Sequence, residues 1–199
     1  MKNEIRQPRQ ERSIDKKNRI IKAGYELFSE IGYYGTNTVE IAKRAGVSTG
    51  IVYGYFQDKR DILLCVLDIY LQEVTEPIYE LFRKLSQPLD MNKLASDVID
   101  TTIDLHSNHS HLHNTLHSLS ATDETVEKRF LTLEDTITKG LTAQLTELGV
   151  DVQNIAERVH IAINLVQSFA HEFVFDKHDY LDYDAMKNLV CHTIVELFA

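Results

Sequence analysis

Residues 38–53 read TVEIAKRAGVSTGIVY, and the identity and spacing of these residues decide the fold. The preceding Thr36-Asn37-Thr38 supplies side-chain acceptors for the start of a helix over Val39 to Ala45. Ala42 is small where that helix must cross the next one closely. Gly46 ends it in a left-handed position that glycine takes at least cost. Ser48 is placed to cap a short third helix ending near Tyr55, and Ile41, Val47 and Val52 form an apolar wedge that fixes the angle between the two. The pattern predicts a helix-turn-helix. A plain αα-hairpin would need the same wedge, so charge has to separate a packing unit from a reading unit.

The chain has 199 residues and a formal net charge of −9, which taken whole argues against a nucleic-acid ligand. Its distribution reverses that. Residues 1–61 hold 12 Lys/Arg against 8 Asp/Glu, a net of +4, while the remainder holds 9 against 22, a net of −13. A basic start on an acidic remainder is the footprint of a protein that meets phosphate with one end only. In that setting Ser48, Thr49, Gly50 and Tyr53 fall at the outward end of the third helix, which enters a major groove in this motif. Thr38 and Lys59 lie where flanking helices start, placed for phosphates through hydroxyl, backbone N–H and ammonium groups. Gly50 lets the backbone approach DNA closely. Tyr55 either reaches a phosphate or is a surface tyrosine, and Phe56 is expected in the core.

Residues 14–66, with AGYELFSEIGYYGTNTVEIAKRAGVSTGIVYGYFQDKRDILLCVL at their centre, resemble the DNA-binding domain of the TetR/AcrR family of bacterial transcriptional regulators. The resemblance covers about a quarter of the chain. It implies a homodimer that binds a palindromic operator in double-stranded DNA and is released by a small-molecule effector. It also implies that Thr38, Ser48, Thr49, Gly50, Tyr53, Tyr55 and Lys59 fall on positions that touch DNA. Two residues depart from the family pattern: Thr49 stands where Lys is frequent, and Gly54 where a larger side chain is common. Direct base readout is therefore expected to be thin, with DNA shape carrying more of the specificity.

The rest of the chain points to an all-α protein of about nine helices. Eight Gly and three Pro leave little punctuation for a many-stranded sheet or for the glycine-rich loops of nucleotide enzymes. The first helix is expected over Ser13–Ile31, broken in Gly32-Tyr33-Tyr34-Gly35. Pro77 is expected to end or kink the apolar run of 59–75. Further helices are expected to open at Pro88-Asp90, to break near Ser107–Ser110, to restart at Thr122, and to follow a cap at Asp151 as far as Phe175. A last helix is expected over about Leu181–Phe198. The expected division is a mobile basic arm over 1–12, a helix-turn-helix domain over 13–58, and a ligand-binding and dimerisation domain over 59–199. No run suits a bilayer and no signal-like segment opens the sequence, so a cytoplasmic protein with no membrane partner is expected. Cys65 and Cys191 fit neither a disulfide framework nor a zinc site, and buried thiols are expected.

The penultimate helix is apolar around most of its circumference, and the last carries the stripe Met186, Leu189, Val190, Thr193, Ile194 and Leu197. Two faces need two partners, which favours a homodimer through the last two helices over one large monomeric core. His160, Asn164, Gln167 and His171 share a face that lines a pocket or forms a solvated edge. Tyr70, Phe130, Leu133, Asn164, Gln167 and His171 are the candidate effector contacts, each with a bland alternative in the core or on the surface. The run LHSNHSHLHNTLHSL places five histidines between His106 and His117. His109, His113 and His117 would align on a continuous helix and could ligate a metal as neutral imidazoles, making a metal-responsive sensor the alternative function. Protonation near pH 6 is a further variant. No nucleophile, base pair or phosphate loop accompanies these histidines, so neither an enzyme nor a cofactor is expected.

Overall fold

The computed structural model describes residues 11–199, which form nine α-helices and no strand. They are α1 (Glu11–Gly35), α2 (Thr38–Ala45), α3 (Thr49–Tyr55), α4 (Lys59–Arg83), α5 (Met91–Asn108), α6 (Ser110–Ser120), α7 (Glu124–Glu147), α8 (Ile155–Phe175) and α9 (Tyr183–Leu197). Residues 1–10 of the expected arm lie outside the described residues. Glu11 and Arg12, assigned to that arm from the sequence, already belong to α1. The break expected at Gly32 is present inside the α1 span, where this residue takes φ 73 and ψ 171.

Several boundaries differ from expectation for identifiable reasons. Helix α4 does not stop at Pro77 but runs on to Arg83. An interior proline costs a helix about 3 kcal/mol. Ile78, Leu81 and Phe82, just beyond it, pack into an apolar cluster, and each buried side chain of this size returns about 1.5–3 kcal/mol. The continuing turn is therefore favourable. Helix α7 begins at Glu124 rather than at the expected Thr122, and is capped by Asp123, whose carboxylate accepts from the N–H groups of Thr125 and Val126. Asp151 does not cap α8; Asn154 stands at its N-cap in the left-handed region, φ 58, without a side-chain cap bond. Ser48 stands at the N-cap of α3 through its carbonyl, which accepts from Ile51 and Val52, while its hydroxyl makes no cap bond.

The chain divides into two compact units. Among the described residues the first comprises those up to Gln72 together with His111–Glu127, and the second Glu73–Ser110 with Lys128–Ala199. The division does not fall at the expected 58/59 boundary, because the first half of α4 is part of the first unit's core: Ile62, Val66 and Leu67 are as fully buried as Ile20, Phe28, Ile41 and Val52. The approach of α1 to α4 is close enough that a Cβ on Gly24 would lie 2.5 Å from Ile62 Cγ2, so glycine is needed there. In the second unit α5 packs against α8 and α9. Ala95, Ile99, Val166, Phe169 and Ile194 form one buried cluster, and Phe82, Leu94, Leu141, Leu145 and Val159 another. Cys65 and Cys191 are unbridged, as expected, and half-buried rather than buried.

Candidate nucleic-acid interface and effector cavity

Helix α2 is fixed at both ends by groups that the sequence pattern requires. Asn37 accepts from the N–H groups of Val39 and Glu40, and the Glu40 carboxylate accepts from the Asn37 N–H, a complete capping box. At the other end Gly46 takes φ 64 and ψ 39, and its N–H donates to the Lys43 carbonyl at 3.2 Å. Ile41, Ala42 and Val52 are buried, as the wedge requires, with Val47 half-buried beside the turn. One further group holds this turn. Arg19 on α1 donates to the Ala45 carbonyl and, at 3.0 Å, to that of Gly46, placing a cation at the negative end of α2.

On α3 the structure exposes Gly50, Tyr53 and Gly54, with Thr49 and Tyr55 half-exposed and Ser48 exposed just before the helix. Nothing lies within 4 Å of a Cβ built on Gly50 or Gly54, so neither glycine answers to internal packing. The Tyr53 hydroxyl lies 3.0 Å from that of Thr38, joining the start of α2 to the exposed face of α3. Tyr55 hydrogen-bonds Ser13 through its hydroxyl at 2.7 Å. Phe56 is buried, as expected. Lys59 is more constrained than a phosphate ligand at a helix start would be. Its ammonium donates to the carbonyls of Tyr33 at 2.7 Å and Thr36 at 2.9 Å and sits 4.3 Å from the Tyr33 ring. Burial there lowers its pKa below the ordinary lysine value. Two of its three protons thus hold the α1–α2 turn, leaving one for a ligand.

Two other cations of this unit serve its own structure. Arg44 forms a fork with Glu30, both N–O distances 2.8 Å, and lies 3.3 Å from Glu26. Arg60 grips Asp123 through bonds of 2.6 and 2.8 Å and reaches Thr125 at 3.0 Å. The Arg60 bonds hold the Asp123 carboxyl well down, at about 2. Arg12, Lys16, Lys22 and Lys43 remain exposed, and they carry positive charge that the sequence reading did not single out individually.

The second unit contains a partly open space of about 60 Å³ bounded by the end of α4, by α5, α7, α8 and α9, and by Phe198. All of its lining side chains are apolar, Leu94, Ala95, Leu145, Ala162 and Ile194 among them. None of the six expected effector contacts lines it. Tyr70 belongs to the first unit, buried, with its hydroxyl 2.7 Å from His113 Nδ1. Phe130 and Leu133 are half-buried on α7, Asn164 and Gln167 are exposed on α8, and His171 packs against Phe175. The α8 amides therefore form the solvated edge that was the alternative for that face.

The histidine run is divided by the fold. Helix α5 ends at Asn108, and His109 leaves helical geometry at φ −113, ψ 20, so it does not continue the row of His113 and His117. His106 is buried against His171 and Phe175, with its pKa lowered by burial. His113 stacks on His117 at 4.2 Å. Among the described residues no three His, Cys, Asp or Glu side chains gather as metal ligands, and His109, His113 and His117 are no exception.

A short exposed helix set by a glycine turn against its predecessor, among described residues that form only helices and in a chain whose first 61 residues carry a net charge of +4, defines a helix-turn-helix DNA-binding protein. Residues 20–66 match the bacterial regulatory proteins of the tetR family. Residues 20–66, about a quarter of the chain, thus carry a DNA-binding domain of the tetR type. The HTH-type transcriptional regulator HbdR of Aromatoleum sp. (strain CIB) is 48% identical over 68 residues, which are 32% of this chain and 30% of that protein. The sequence matches thus span less than half the length of the curated relatives. The fold is shared more widely. A transcriptional regulator of Rhodococcus sp. Rha1 aligns with a TM-score of 0.69 at 19% identity over 91% of this chain and 95% of its own. The regulator FadR of Bacillus subtilis, solved in complex with stearoyl-CoA, aligns with a TM-score of 0.67 at 22% identity over 92% and 99%. No helix among the described residues is long and apolar enough to cross a membrane.

Proposed function

We propose that the protein is a ligand-responsive transcriptional repressor, acting in the cytoplasm, that reads a palindromic operator as a homodimer and leaves it when a small effector occupies the second unit. The carrying observation is the tip of α3. Ser48 just before this helix, and Gly50 and Tyr53 on it, are exposed, and its orientation is fixed by Gly46, Arg19 and the buried wedge. Thr38, Ser48, Thr49, Gly50, Tyr53, Tyr55 and Lys59 form the DNA-facing set. Lys59 and Tyr55 also position neighbouring elements. Dimerisation through α8 and α9 supplies the two-fold axis an inverted repeat requires. Effector binding selects a dimer whose reading helices no longer match the half-site spacing. The apolar cavity stands as a proposed effector site beside the contacts expected from the sequence, Tyr70, Phe130, Leu133, Asn164, Gln167 and His171. That FadR carries stearoyl-CoA on the same fold supports an effector role for this unit.

Selection of duplexes from a random library at near-physiological salt tests this reading. The expected result is an enriched inverted repeat, bound with an affinity that falls steeply as salt rises and that Tyr53→Ala weakens. Absence of any enriched sequence from effector-free protein would overturn it.

A further inference from the structure

Resting on the reading of the second unit as the effector-binding part, we propose that the effector is recognised by the end of an unbranched aliphatic chain, which enters the cavity bounded by α4, α5, α7, α8 and α9. Two observations carry this. The first is chemistry: every side chain lining the cavity is a hydrocarbon or the thioether of Met91, with no hydroxyl, amide or charge among them. A polar or ionised effector group placed there would lose its water and gain no side-chain partner. The entering portion is therefore apolar throughout. The second is size. An aliphatic cavity of about 150 Å³ accommodates a benzene ring. At about 60 Å³ this one is well below that, so a rigid ring does not fit it as it stands. A methylene chain is narrower and can be admitted one carbon at a time.

The lining residues suit such a guest. Ala95 on α5 and Ala162 on α8 leave low points in walls that, apart from Met91, are branched or aromatic. Met91 and Phe198 are half-buried, so the cavity has an edge where a polar head can stay in water while the chain is enclosed. Met91, with an unbranched side chain, can yield as the chain lengthens.

The test is titration of the full chain with straight-chain carboxylates from butanoate to dodecanoate and with their coenzyme A thioesters. Benzoate, phenylacetate and their thioesters serve as ring controls, and binding is followed by calorimetry and thermal unfolding without DNA. Affinity is expected to rise about fourfold per added methylene until the cavity is filled and to level off beyond that length. A rise confined to the acids or to the thioesters identifies the carrier of the chain. Ala162→Val, which fills the cavity, is expected to flatten the chain-length dependence, and Leu145→Ala, which enlarges it, to admit the ring compounds. Ala95→Val provides a second filling variant should Ala162→Val unfold. Equal affinity for all chain lengths, tighter binding of the ring compounds to the unaltered protein, or an undiminished chain-length dependence in a folded filling variant overturns the proposal. Because binding is read without DNA, failure to find an operator bears on the regulator reading alone.

Discussion

At Gly46 two demands meet on one residue. The backbone stands at φ 64, and a Cβ there would lie 2.8 Å from the Arg19 guanidinium that holds the turn. Gly46→Ala therefore incurs a left-handed backbone cost of roughly 1–2 kcal/mol and displaces Arg19 as well. Urea unfolding should show a stability loss of at least that size, and duplex binding should weaken in protein that remains folded. The glycine was legible in the sequence because only a few residue types serve such a turn. Arg19 was not, since its acceptors are backbone carbonyls 26 and 27 positions away, and every residue has one. Lys59 shows the reverse limit: its position marked a cation at a helix start, but only the folded α1–α2 turn shows that two carbonyls already share it.

Between elements, the bond from the start of α4 to the cap of α7 makes a prediction about acid. Asp123 caps α7 and accepts a two-pronged donation from Arg60, and its carboxyl pKa is lowered to about 2 from an ordinary value of 3.8. A carboxyl whose folded pKa is depressed favours the folded state above its unfolded pKa, and that contribution is lost as pH falls through the folded value. In Asp123→Asn, which retains a capping oxygen but not the charge, unfolding at neutral pH should require less denaturant than in the unaltered protein. The difference should shrink between about pH 4 and pH 2. A gap that stays constant across that window would show that the charge contributes nothing. The periodicity of apolar residues indicated where α4, α5 and α7 lie, because each buries one face. Their ends depended on tertiary partners: burial beyond Pro77 extends α4, and the break at His109 separates histidines that a continuous helix would have aligned. The cavity was invisible for a related reason. It is the gap left where side chains from five helices fail to meet, and no single helix's pattern records it.

For the whole molecule, the separation of charge and the apolar side chains exposed on α8 and α9 make the proposed homodimer testable. An N-terminal segment of net +4 on a chain of net −9 can hold DNA at one end only, so a two-fold operator needs two chains joined elsewhere. Helices α8 and α9 each expose a large aliphatic side chain, Ile161 at 48% and Leu189 at 66%. In a two-fold interface each patch meets its own kind or its symmetric partner, so one substitution enters the interface twice. Ile161→Lys and Leu189→Lys place cations on surfaces already open to water, where the effect on folding of the single chain should stay within about 0.5 kcal/mol. Across the dimer interface the same change confronts desolvation and like charge in both copies. Sedimentation should therefore show monomers for either variant, with helical content and the chain-length dependence of ligand binding retained. Operator affinity should fall to the level of random duplex, because a single reading helix engages one half-site. A variant that stays dimeric with full operator affinity would place the two-fold axis on some other surface than α8 and α9.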